Sequence, residues 1–94
     1  MLTAFVLLYA EPSRIAALGA ALAAVDGVTE VYSVTGDEDL LVVIRVADHE
    51  QIARVVTEEI AALEGVTATR TLIAFRQYDP SDSEIPLHVA YDIG

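Results

Sequence analysis

A stretch of this chain occurs twice. Ala23-Ala24-Val25-Asp26-Gly27-Val28-Thr29 returns as Ala61-Ala62-Leu63-Glu64-Gly65-Val66-Thr67, an offset of 38 residues (65 minus 27). The same offset lays the apolar run Leu2–Leu8 onto Leu40–Val46. A repeated supersecondary unit constrains a short chain more than any single motif, because each copy needs the other to bury its apolar side. Each copy reads as strand, helix, strand. The first strand is expected at about 2–9. Pro12 suits the first turn of the following helix, and Ile15, Leu18, Leu22 and Val25 recur at helical spacing. Gly27 fits the left-handed position that ends a helix. A second strand covers about 28–35, Gly36-Asp37-Glu38-Asp39 turns the chain, and a third covers about 40–46. Asp48 caps the second helix, with Gln51 placed for a capping box. Ile52, Val55, Val56, Ile60 and Leu63 form its buried stripe, Gly65 ends it, and a fourth strand covers about 66–75.

Two such units joined by a tight turn predict an α+β fold of ferredoxin-like βαββαβ type. Its antiparallel sheet has strand order 4-1-3-2, with both helices on one face. The residue types agree: strands one and three are almost wholly apolar, as central strands are, whereas Thr29, Glu30, Ser33, Thr35, Thr67, Thr69, Arg70 and Thr71 sit on the other two. The 94 residues form one domain over 1–76, with a tail at 77–94 expected to pack on itself or on a neighbouring subunit through Ile85, Leu87, Val89 and Tyr91. Pro80 and Pro86 oppose a single long helix there.

Alternation along strand three separates Leu40, Val42, Ile44 and Val46 from Leu41, Val43 and Arg45. An unpaired arginine is costly beneath helices, so Arg45 marks the open face. The offset then puts Thr3, Phe5, Leu7 and Tyr9 there too. Phe5, Leu7, Leu41 and Val43 make an apolar patch of the kind that marks an interface, which predicts a dimer with its sheets face to face. Helix one carries no charge between Arg14 and Asp26, and its outer face of Ala16, Ala17, Gly19, Ala20, Ala23 and Ala24 is either a helix-forming composition or a second contact surface.

Composition removes several function classes. The formal net charge is -10, and Arg14, Arg45, Arg54, Arg70 and Arg76 are scattered, which argues against direct nucleic-acid binding. The acidity serves solubility or attracts a cationic ligand. No apolar run reaches the ~18 residues of a membrane span, and no basic segment precedes the opening apolar run. There is no Cys, which excludes Cys-ligated metal centres and fits a cytoplasmic location. His49 and His88 are isolated, no nucleophile–base spacing occurs, and Asp37-Glu38-Asp39 in a tight hairpin is a weak cation site. No catalytic residue, cofactor or metal is expected.

Four segments in register resemble the effector domain of the Lrp/AsnC regulators: Ala24-Val25-Asp26-Gly27-Val28, Val34-Thr35-Gly36, Asp39 with the aliphatic run behind it, and Thr69-Arg70-Thr71-Leu72-Ile73. The resemblance covers about 2–76, without the family's usual helix-turn-helix, and Glu38 replaces a position often aromatic in the family. It implies a non-catalytic sensing domain whose dimers assemble into an octamer or decamer and bind an amino-acid effector between dimers. It also implies Thr35, Gly36, Asp37, Asp39, Thr69 and Thr71 as ligand-binding positions. Backbone N–H groups at Gly36 would hold the α-carboxylate, Asp37 or Asp39 would accept the α-ammonium, and the Thr pair would add hydroxyls from a neighbouring dimer. Gly and Asp are equally what a hairpin turn wants, and Thr is common on edge strands. Other readings are an ACT-like regulatory domain with its effector between helix one and strand two, a structural partner of full-length Lrp/AsnC regulators, and a small ferredoxin-like oxygenase.

Overall fold

The computed structural model describes residues 1–79; the expectations for Pro80, Ile85, Pro86, Leu87, His88, Val89 and Tyr91 lie outside the described residues. Four strands, β1 (Leu2–Ala10), β2 (Val28–Ser33), β3 (Leu40–Val46) and β4 (Val66–Ala74), form one sheet in the order β2-β3-β1-β4. All neighbours are antiparallel. The ferredoxin-like arrangement and its central and edge strands are those the repeat predicts.

The first helical segment opens at Pro12 with a tight 3-10 turn (Pro12–Arg14) and continues as α1 (Ile15–Ala23). Helix α2 (His49–Arg54) runs into a π-helical stretch over Val55–Ile60. There the Ala61 N–H donates to the Val56 carbonyl at 3.0 Å, one residue further back than in an α-helix. The widened turn keeps both Val55 and Ile60 fully buried. The Asp48 carboxylate accepts the Gln51 N–H at 2.9 Å, so it caps α2. The reciprocal half of the expected box is not made: the Gln51 side chain accepts instead from Arg54.

The core lies between the sheet and the helices. Ala4, Val6, Leu8, Leu40, Val42 and Ile44 face Leu18, Leu22, Ile52, Val55 and Ile60. Gly27 and Gly65 hold φ of +99° and +100°, where a left-handed residue ends each helix. Each glycine carbonyl then starts the next ladder, Gly27 accepting from Arg45 N–H at 2.9 Å and Gly65 from Glu11 N–H at 3.0 Å. Among the described residues no helix is long and apolar enough to cross a membrane.

Candidate functional site

The turn between β2 and β3 is built by its own backbone. Val34 N–H donates to the Asp39 carbonyl at 3.1 Å, and Gly36 at the tip has φ +122°, which favours glycine. Thr35, Gly36 and Asp37 are exposed. Asp39 is tied to the body of the sheet. Its N–H donates to the Leu8 carbonyl at 2.8 Å, and its carboxylate accepts the Ala10 N–H at 2.8 Å. β3 starts opposite Leu8, so Ala10 lies past the end of the backbone ladder. The Asp39 side chain supplies the missing rung. Asp39→Ala would leave the buried Ala10 N–H unsatisfied. It is expected to cost about 1–3 kcal/mol, read as a lower midpoint in chemical denaturation at unchanged m.

The positions implied as ligand-binding do not all meet within one chain. Thr35, Gly36, Asp37 and Asp39 share the hairpin. Thr69 and Thr71 on β4 pair with Leu8 and Val6 on β1, which separates them from β3. Directly paired residues share a face, and Leu8 and Val6 are fully buried core residues. The Thr pair therefore lies on the helix side of an edge strand. Arg70, between them, is on the opposite side and reaches Glu38 of the hairpin at 2.9 Å. Sequence reasoning missed this ion pair. The only available signal was opposite charge on two elements at one end of the sheet. Glu38 and Asp39 thus address different partners instead of one point.

The open face is apolar in the middle and polar at its rim. Phe5 pairs with Val43 and Leu72, and Leu7 with Leu41. Val43 is buried already in the single chain, while Phe5, Leu7 and Leu41 are half-buried and Leu72 is exposed. Around them stand Arg45, Arg70 with Glu38, and Glu30 with Tyr32. The Tyr32 hydroxyl donates to the Glu30 carboxylate. That hydrogen bond first, then the negative charge of Glu30, raises the Tyr32 phenol above its ordinary 10.0. On the helix side, α1 and β2 enclose a concavity of about 230 Å³ lined by Gly19, Ala23, Thr29, Val31 and Ser33.

The model of the Lrp/AsnC ligand binding domain matches residues 3–84. A crystal structure of TTHA0845 from Thermus thermophilus is 51% identical; the match covers 84% of this chain and 99% of that one, with a TM-score of 0.81. The HTH-type transcriptional regulator PF0250 of Pyrococcus furiosus is 33% identical over 76 residues, 78% of this chain and 51% of the regulator. The chain thus spans about half the length of that curated relative. The transcriptional regulator NMB0573 of Neisseria meningitidis, solved as an L-Met complex, shares the fold at 17% identity and a TM-score of 0.71, over 95% of this chain and 58% of that one.

Proposed function

The chain belongs to the Lrp/AsnC ligand-binding domain family, and from that premise we propose that it is a non-catalytic, amino-acid-sensing module of transcription regulation that works as an oligomer. The observation that carries this reading is the apolar middle of the open sheet face. Interfaces place an apolar centre inside a polar rim, and Phe5, Leu7, Leu41 and Leu72 within Arg45, Arg70 and Glu30 have that form. Two copies pack these faces together, and the dimers join into an octamer or decamer. A mixed assembly with a full-length Lrp/AsnC regulator in the cytoplasm uses the same surface.

The effector site is at the hairpin, where a neighbouring dimer closes it. Exposed backbone at Thr35 and Gly36 offers N–H groups to an α-carboxylate. Asp37 accepts the α-ammonium, as does the carboxylate oxygen of Asp39 that Ala10 leaves open. Thr69 and Thr71 contribute from the adjoining dimer. Support comes from the L-Met complex of NMB0573 and from the regulators among the relatives.

Thermal-shift measurements against the twenty amino acids test the proposal. One chemical class is expected to raise the melting temperature, the gain being about 2.7 kcal/mol at a concentration of 100 Kd. Gly36→Val should abolish that shift. A Cβ at Gly36 meets no atom within 4 Å, so the change bends the turn without pushing on the body. Light scattering should show the assembly unchanged. No response to any amino acid, or an undiminished response in Gly36→Val, defeats the hairpin site.

A further inference from the structure

The two edges of the sheet are defended unequally. Strand β2 is short, carries Glu30, and holds an extra residue between the Val28–Ile44 and Glu30–Val43 pairs. Such devices blunt an edge against further pairing. Strand β4 has nine residues, no Pro, one charged side chain, and a regular register from Ala68 to Ala74. Among the described residues no strand pairs with its outer side. Hydrogen bonds elsewhere in the sheet fix which of its backbone groups point outward. Asp39 N–H donates to the Leu8 carbonyl and Ala10 N–H to the Asp39 carboxylate, so the even residues of β1 turn toward β3. The odd residues Thr3, Phe5, Leu7 and Tyr9 turn toward β4, in agreement with the Glu11 N–H on the Gly65 carbonyl. Their partners there are Ala74, Leu72, Arg70 and Ala68. The N–H and C=O groups of Thr69, Thr71 and Ile73 therefore point away from the sheet. The side chains of these three lie on the helix side, with Leu8, Val6 and Ala4, and Ile73 is left 48% exposed there.

We propose that this edge is the docking site of residues 85–91 of the same chain, which add to it as a fifth, antiparallel strand. Ile85, Leu87, Val89 and Tyr91 alternate with Pro86, His88 and Ala90, the period of a strand with one apolar side. Asp79-Pro80-Ser81-Asp82 stands between β4 and this run, with Asp and Pro in the order that opens a β-turn. A return within one chain needs only such a reversal. Pro86 decides the pairing. It has no N–H, so on an edge strand its nitrogen faces solvent. His88 and Ala90 share its sense, which leaves Ile85, Leu87, Val89 and Tyr91 to turn their backbone groups toward β4. Their partners are then Thr69, Thr71 and Ile73, and directly paired residues share a face. The parity that Pro86 permits thus sets all four apolar side chains on the helix side, beside the half-exposed Ile73 at the margin of the core. A proline one residue later would turn the same apolar set to the other face. The added strand lies beside β4 and covers neither of its faces, so the open face and the Thr pair keep the places given them above. The docking rests on neither the hairpin effector nor the dimer.

Hydrogen exchange read at single residues in the full chain tests the docking. The amides of Thr69, Thr71 and Ile73 are expected to be protected, together with those of Leu87, Val89 and Tyr91, while His88 and Ala90 exchange freely. The Leu72 and Ala74 amides, which face β1, report the integrity of the sheet itself. Two proline variants separate the orientations. Val89→Pro removes a rung and should speed exchange at Thr71 and Ile73 at least about tenfold, with Leu72 and Ala74 unchanged. His88→Pro repeats the orientation of Pro86 and should leave every protected amide as in the wild type. Free exchange at Thr71 and Ile73 in the wild type overturns the assignment. So does protection of His88 and Ala90 in place of their neighbours, or an equal effect of the two variants. Protection that is lost on dilution gives the edge to a neighbouring copy and refutes docking within the chain. Should Val89→Pro also release Leu72, the wild-type alternation from Leu87 to Tyr91 decides alone. A hairpin that responds to amino acids in thermal shift stands or falls separately.

Discussion

Gly65→Val is expected to destabilise the fold by about 3–5 kcal/mol, the sum of a backbone and a packing effect. The backbone at Gly65 has φ +100°, where a side chain costs about 1–2 kcal/mol and a β-branched one more. A Cβ there would lie 2.8 Å from Arg14 Cβ and 2.9 Å from Arg14 Cγ, with Leu18 Cδ1 at 3.3 Å. These atoms are near the Arg14 backbone and cannot swing away as a side-chain tip would. Relief requires moving the start of α1, and the Glu11 N–H to Gly65 carbonyl bond at 3.0 Å resists that movement. Overpacking of this kind adds about 1–3 kcal/mol. In a domain of this size the melting temperature should fall by at least about 15 °C. Gly36→Val is the internal control: its φ is also positive, yet its surroundings are empty. Comparable midpoints for the two variants in chemical denaturation would show that the contact with Arg14 does not limit stability.

Leu7→Glu is expected to reduce the protein to single folded chains. Leu7 lies on the central strand β1, between Leu41 on β3 and Arg70 on β4. In a two-fold, face-to-face dimer the substitution enters twice, once from each sheet. An unpaired charge in a desolvated interface costs several kcal/mol, enough to dissociate an association held by apolar contact. In the single chain Leu7 is only half-buried, so the introduced carboxylate keeps contact with water. Circular dichroism should therefore stay close to wild type while light scattering reports a lower mass. An unchanged mass would move the interface away from this face.

Much of the architecture could be read from residue order. The repeat located all four strands within a few residues, because apolar runs and helix-ending glycines are local signals. Alternation along Leu40–Val46 assigned the two faces, and the structure agrees except at Val43, which is buried on the open side as well. Phe5 opposite it on β1 provides the cover. The hairpin residues Thr35, Gly36, Asp37 and Asp39 were legible for the same reason: a turn is made of neighbours in sequence. The π-helical widening over Val55–Ile60 was not, since Ile52, Val55, Val56 and Ile60 fit ordinary helical spacing equally well.

Sequence alone therefore determined the elements, their order and the sidedness of the two central strands. These follow from periodicity and steric punctuation within a few residues. Tertiary structure decided which distant groups meet. Asp39 became the last rung of the β1 ladder only because β3 starts opposite Leu8. Glu38 found Arg70 across the sheet, with β1 between β3 and β4. Such encounters depend on strand adjacency and register, which are set by burial of the whole apolar set and leave no mark at the residues that meet.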